Sequence, residues 1–564
     1  MKFKDYAYHE IQFDEMKNKL IDLKKQMEAA DSKDACMKVW KAYNSLYQSF
    51  DTNLTLCSIR HSMNTKDVYY ANENKRLDEI VPELESYFHA FNEAFLLNPY
   101  LNQMKDEIPE TFFLQKEMEK KSFSEKIVKE LQEENVLSSK YQKLIASAQI
   151  ELDGQIYNLS SLESKMTESS RQVRKQATKA YWNWFDSHKK ELLQIFDSLV
   201  AVRTKMAKKL GYKNYVELGY YRMNRFDYTK EDVAIYRKQI VKDVIPVANC
   251  LYALQKKRLG LDDLYTWDEK IEFTHGNPKP ILNEKECIQT ALKMYSELSE
   301  DTGAFFTYML DHDLLDYATR NGKAAGGYCT YLPDYKSPFI FANFNGSLSD
   351  IETLTHEAGH AYQVWSSQDI FPLDCIWPTY ETCEIHSMSM EFITYPWMSL
   401  FFGENTDRYL YSHMSSAIKF LPYGALIDHF QHEVYEHPEY SSSERMACFR
   451  KLEQMYLPHK NYDEIPFLEA GGWWMRQLHV FMDPFYYIDY TLAQICALQF
   501  WNRFYHKDSN ALNDYQKICR IGGKYPFKKV VSMAHLKNPF EKDCLSETMK
   551  TVLDYINSVD QSTL

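Results

Sequence analysis

Nowhere in these 564 residues is there an apolar run long enough to cross a bilayer as a helix, which takes about 20 residues. The longest candidate, residues 392–402, is short and carries Pro396. The opening Met1-Lys2-Phe3-Lys4-Asp5 leads into a charged stretch, not an apolar leader. Positive charge is outnumbered: 66 Lys and Arg against 79 Asp and Glu leave a net −13. That balance argues against a nucleic-acid backbone or an anionic membrane as partner. The 11 cysteines are odd in number and show no C-x-x-C spacing, so neither a disulfide frame nor a structural zinc cluster is indicated. A reducing cytoplasm is the expected setting. No internal repeat or low-complexity segment is visible. The flexible Asn321-Gly322-Lys323-Ala324-Ala325-Gly326-Gly327 lacks the spacing and terminal Lys-Ser/Thr of a phosphate loop, which excludes that mode of nucleotide binding.

What is present is a packed, aromatic-rich chain, 45% hydrophobic and 15% aromatic, which excludes a disordered protein. Helical periodicity dominates the first stretch: Glu15–Met27, Ala35–Phe50, Lys75–Leu96 and Ser124–Leu137 each carry apolar residues three and four apart. Asp153-Gly154 between Gln149–Leu152 and Gln155–Leu159 predicts a hairpin with a type I′ turn, and a lobe boundary is placed there. The expected division is 1–160, a helical lobe, and 161–564, the region carrying the chemistry. Long helices follow over Glu168–Gly211 and Asp232–Leu259. Tyr181, Trp182, Trp184 and Phe185 read as packing residues on the first of these. Tyr328–Tyr331 and Phe339–Phe344 are strand-like and separated by a turn at Pro333-Asp334. An open strand edge can bind an extended peptide through main-chain hydrogen bonds.

The stretch with the sharpest chemistry is His356-Glu357-Ala358-Gly359-His360. On a helix, residues i and i+4 project from one face, so two imidazoles can share one metal ion. Glu357 then lies beside the open coordination position, where a water's proton can be taken. Ser349-Asp350 offers a helix N-cap, and Ile351, Leu354, Ala358 and Tyr362 form an apolar stripe. A catalytic zinc takes a third protein ligand. Downstream, Glu384, Ser387, Met388 and Glu391 share a helical face, with Glu381 roughly on it; spacing alone does not choose among the three glutamates. Further on, Tyr486 and Tyr490, or Tyr487 and Tyr490, could share a face of a helix beyond His479.

These segments together resemble the thimet oligopeptidase and oligoendopeptidase F family of zinc metallopeptidases, and especially its Pz-peptidase branch. The likeness rests on His356–His360, on Glu384-Ile385-His386-Ser387-Met388-Ser389-Met390-Glu391, and on His479-Val480-Phe481-Met482-Asp483-Pro484-Phe485-Tyr486-Tyr487-Ile488-Asp489-Tyr490. Upstream it includes Lys336–Ile340 and Asn343–Gly346, and it fades toward Arg171. The resemblance implies a mostly α, two-lobed zincin-type fold with a small β-sheet beside the zinc helix and a deep central channel. It implies one Zn2+ held by His356, His360 and Glu384, with Glu357 as the general base. It also implies that His479, Tyr490 and Tyr486 stabilise the oxyanion, Tyr487 being the weaker choice. The implied substrates are short unstructured oligopeptides cut at internal bonds, with no nucleic acid or membrane partner; oligomeric state is not implied. A carboxylate partner for a ligating histidine is expected at Glu352, with Glu391 competing. His386 falls on the far side of its helix from Glu384 and is left out of the metal shell. Two other readings remain: a zinc carboxypeptidase or dipeptidyl carboxypeptidase, which would need a cation such as Arg476 to grip a free C-terminus, and a non-enzymatic peptide-binding zinc scaffold, for which Glu357 would have no use.

Overall fold

The computed structural model describes residues 1–564, and 71% of them are helical. Only five short strands interrupt the helices, and they form two small sheets, so helix-on-helix packing carries the core. The opening helices Phe13–Glu28, Lys33–Met63 and Val68–Leu96 bury their apolar stripes against one another. Trp40 stacks on Phe95 with ring centroids 4.9 Å apart, and Tyr43 on Phe91 at 3.9 Å. This apolar cluster, which Cys375 joins, is distinct from the larger one, to which Leu56 and Ile59 of the same helices belong.

The hairpin forms as the sequence predicts: β1 (Ile150–Leu152) pairs antiparallel with β2 (Gln155–Tyr157). Asp153 and Gly154 both have positive φ, 52° and 75°, the requirement of a type I′ turn. The second sheet has three strands in the order β3 (Leu315–Ala318), β5 (Ser337–Phe344), β4 (Tyr328–Leu332). β5 is central, parallel to β3 and antiparallel to β4. β3 is absent from the sequence reading because four half-buried residues, Leu-Asp-Tyr-Ala, show neither alternation nor a continuous apolar run. No strand pairs with the far side of β4, which leaves its edge open.

Next to this sheet lies the motif helix, Ser349–Ser367. Its N-terminus differs from the expected cap: Ser349 is already helical and no side chain caps the end. Asp350 instead turns its carboxylate back to accept from the amides of Asn345 and Gly346, tying the helix to the end of β5. Ile351, Leu354, Ala358 and Tyr362 are buried, as their spacing predicts. The glutamate helix, Tyr380–Ile393, crosses the motif helix at Gly359. A Cβ on Gly359 would stand 2.6 Å from the carbonyl oxygen of His386 and from the Cα of Ser387, so only glycine permits this approach.

The tyrosine helix, Tyr487–Tyr505, packs on the glutamate helix and on the long Thr406–Glu436 helix. Its entry is set by Phe485, which is fully buried with a φ of 73°. For a bulky residue that conformation needs support. Arg225 donates to the Phe485 carbonyl and to Asp489 at 2.9 Å, and Gln431 accepts from the Phe485 amide at 3.1 Å. Gly219 leaves room for the Phe485 ring, since a Cβ there would stand 2.6 Å from it.

Candidate metal centre and active site

The close crossing at Gly359 brings the ligand candidates together. His356 Nε2 stands 3.3 Å and His360 Nε2 3.5 Å from the same oxygen, Oε2, of Glu384. One ligand atom from each of the three residues lies within 4.8 Å of the others. Glu381 and Glu391, which spacing left in contention, take other roles. Two imidazole nitrogens and a carboxylate oxygen converging on one point form the donor set that zinc accepts, and the residues fit the ion.

Their surroundings hold them in that orientation. His356 Nδ1 is 2.7 Å from Glu391 Oε1, so the ring proton goes to Nδ1 and the Nε2 lone pair faces the ligand point. Glu391, the competing candidate, thus holds the place expected for Glu352. Its other oxygen receives His413 Nε2 at 2.6 Å, and the Tyr395 hydroxyl lies 2.7 Å from His413 Nδ1. Burial opposes ionisation of Glu391, yet the hydrogen bonds from His356 and His413 hold its pKa down at about 2. The sequence reading missed His413 because it sits 22 residues beyond Glu391 on a different helix, where no local spacing connects them. Glu352 lies beside this chain, and burial pushes its carboxyl up to about 7.

Glu384 accepts from the Ser387 hydroxyl at 2.9 Å and from the Tyr486 hydroxyl at 3.2 Å. Its pKa is the outcome of burial, which raises it, overcome by the two histidines, which hold it low. Glu357 is buried between the motif helix and the start of β4, where a Cβ on Gly327 would stand 3.8 Å from its Oε1. Burial pushes the Glu357 carboxyl above its usual range, while His356 and His360 pull it down. His386 is fully buried on the other side of its helix, away from the ligand point.

A cavity of about 350 Å³ is lined by His356, Glu391, His413, His479 and Tyr490 among others. Tyr487 also lines it, but its ring packs against Phe420 and Tyr423. Tyr486 and Tyr490 are in edge contact, with centroids 4.9 Å apart. Glu352, Ser416, Phe420 and Tyr487 are shared with a chamber of about 1440 Å³. Charges of both signs line that chamber. Lys270 and Arg476 both pair with Glu163, at 2.6 and 3.1 Å, and Lys460 pairs with Glu269 at 2.6 Å.

Comparison with known proteins agrees with this geometry. A family profile described as peptidase family M3 matches residues 164–550, and one described as the peptidase M3 N-terminal domain matches residues 3–123. The chain belongs to peptidase family M3 and is a metallopeptidase of that family. It is similar to a solved structure described as an oligoendopeptidase F, with 41% identity over the whole of both chains and a TM-score of 0.95. It is also similar to Pz peptidase A solved with an inhibitor, at 42% identity over 99% of this chain and 100% of that one, with a TM-score of 0.94. An oligoendopeptidase F homolog of Borreliella burgdorferi is 24% identical over 378 residues, 64% of this chain and 61% of the relative. The oligopeptidase PepF of Bacillus subtilis is 22% identical over 360 residues, 59% of this chain and 52% of that protein. The chain therefore spans between half and two thirds of these curated relatives. No helix is long and apolar enough to cross a membrane.

Proposed function

We propose that this protein is a zinc-dependent endopeptidase that hydrolyses internal bonds of short unstructured oligopeptides. The observation that carries the reading is Glu357, a buried carboxylate beside a His/His/Glu ligand group and under the start of an open-edged strand. A purely structural metal site has no use for such a base.

Zinc held by His356, His360 and Glu384 would supply a Lewis acid that polarises the scissile carbonyl and acidifies a water. Glu357 takes that water's proton and returns it to the leaving amine. His479 and Tyr490 donate hydrogen bonds to the carbonyl oxygen as negative charge builds on it. Tyr486, whose hydroxyl meets Glu384, contributes from the same face and orients that carboxylate. The unpaired edge of β4 binds the substrate main chain as an added strand, which reads little of its sequence. The chamber, lined by Ser160 and otherwise by residues of 161–564, serves as part of a deep channel. At about 1440 Å³ it exceeds the ~300–1,000 Å³ of a typical small-molecule cleft and suits several peptide residues. The apolar cluster of the opening helices supports a distinct N-terminal lobe, while Ile127, Tyr141, Ile150 and Leu159 join the larger cluster across the proposed division of 1–160 from 161–564. Eleven free cysteines fit a cytoplasmic role in peptide turnover.

The test is a mass-spectrometric product map of a decapeptide blocked at both ends. Internal cleavage by the wild type, lost in Glu357→Gln with zinc content retained, is the expected result. Trimming of the unblocked peptide alone would transfer the protein to the carboxypeptidases.

A further inference from the structure

His479 carries a question that its position does not answer by itself. A neutral imidazole has one proton, and it can stabilise an oxyanion only if that proton sits on the nitrogen facing the substrate. Three side chains on the chamber wall settle which nitrogen that is. The Gln477 amide nitrogen lies 2.8 Å from His479 Nδ1. An amide NH2 can only donate, so Nδ1 must accept and the ring proton must reside on Nε2.

The orientation of that amide is itself fixed. Its oxygen, Gln477 Oε1, accepts from the Tyr423 hydroxyl at 2.7 Å. A hydroxyl can turn either way, but the guanidinium N–H groups of Arg476 act on the Tyr423 oxygen and favour a lone pair on their side. The Tyr423 proton is thereby directed away from them, toward Gln477. Arg476 is held in turn by Glu163, with its guanidinium beside the Trp473 and Tyr181 rings. The remaining neighbours of His479 are the rings of Tyr486, Tyr487 and Tyr490, with Asp483 and Glu384 acting on it at longer range. Burial outweighs those two carboxylates and keeps the ring below its usual pKa, hence neutral at neutral pH.

We propose that Gln477 and Tyr423 are positioning residues that lock His479 as the Nε2–H tautomer, so that it meets the peptide carbonyl as a neutral hydrogen-bond donor. This rests on the peptidase reading for what His479 contacts, but the tautomer does not. Nitrogen NMR of ring-labelled histidine reads the tautomer directly in the folded protein, with or without activity. The wild type is expected to show His479 protonated on Nε2 in the zinc-loaded enzyme. Gln477→Glu replaces a donor with an acceptor and draws a proton to Nδ1. While the ring is an imidazolium it still donates from Nε2. As pH rises through its pKa the one remaining proton stays on Nδ1, and the donor is lost. That variant should acquire an alkaline fall in kcat of about tenfold to a hundredfold, absent from the wild type, with KM changed less than threefold, as expected for an interaction made in the transition state. Tyr423→Phe, which removes the hydroxyl that orients the amide, should show a mixture of tautomers and a smaller loss in kcat. A wild type protonated on Nδ1, or a folded Gln477→Glu with an unchanged pH profile, overturns the proposal. A wild type that shows the Nε2–H form yet cleaves no peptide overturns the peptidase reading and leaves the tautomer assignment standing.

Discussion

The opening helices and the layer around the glutamate helix are both helical, yet they treat charge in opposite ways. Between Phe13 and Leu96 the charged residues largely line outer faces. Lys19 with Glu15 and Lys24 with Glu28 are exposed pairs one turn apart, while Trp40, Phe91 and Phe95 fill the interior. Around the glutamate helix the charge lies inside: Glu357, Glu381 and Glu384 are buried, and Glu391 is nearly so. Exposed pairs of the first kind contribute about 0.3–0.5 kcal/mol each. A buried carboxylate is costly unless a cation or a set of hydrogen bonds compensates it. A concentration of them is therefore the mark of a site, and the contrast separates scaffold from chemistry within one helical architecture.

The contrast breaks most sharply when one charge is removed from each region. Glu357→Gln should lower kcat on a blocked fluorogenic peptide by about 10²–10⁴, the range expected for loss of a general base. Zinc content should be unchanged. Lys19→Ala, in the outer region, should leave both activity and melting temperature within error. Equal effects from the two substitutions would erase the distinction.

The second-largest effect is expected at Glu391, which touches His356 but not the ligand point. Glu391→Gln keeps the shape and removes the charge that His356 and His413 share. Loss of such a partner typically weakens metal binding by about 10–100-fold. Competition against a zinc chelator measures this, and an unchanged affinity would demote Glu391 to a packing residue.

How far the sequence could be read follows the same division. Amphipathic helices announce themselves because their apolar residues recur within one element, so the helices from residue 13 to 96 and the hairpin at Asp153-Gly154 were legible. The three ligand candidates were legible too: His356 and His360 are bound to each other by helical spacing, and a known family pattern picked out Glu384. The preference for Glu352 over Glu391 as partner of His356 failed because i−4 spacing on one helix is not the same as contact. The Nδ1 atom of His356 points across to the neighbouring helix, where only the tertiary crossing at Gly359 places Glu391. His413, Gln477 and Arg225 were invisible for the same reason. Each acts on a residue brought to it by packing, or by a loop whose shape no periodicity encodes.

That crossing can be tested on its own. Gly359→Ala pushes a methyl group into the backbone at His386 and Ser387, where no side-chain movement relieves it. Overpacking of this kind costs about 1–3 kcal/mol. Because the displaced helix carries Glu384, zinc affinity should fall together with thermal stability. A stable variant with normal zinc binding would show that the two helices adjust freely.

The smallest effect is expected at Glu381, where the inner region fails to compensate a charge. Its Oε1 accepts from Thr379 at 3.0 Å, but Oε2 has no partner, and Asp489 lies nearby. Burial, with Asp489 adding to it, holds the Glu381 carboxyl well above the usual 4.5. A carboxyl whose folded-state pKa is raised keeps its proton longer in the folded protein. Its contribution to stability is fully present below about 4.5 and is lost as pH rises through the folded value. Asp489, raised to about 6 by burial against the pull of Arg225, works in the same direction. Glu381→Gln retains the shape and cannot titrate. The wild type should thus lose more melting temperature than the variant between pH 5 and pH 8, with Asp489 leaving the variant a residual decline. Should the two curves run parallel, Glu381 is already compensated in solution, and the inner region is more uniformly neutralised than its hydrogen bonds indicate.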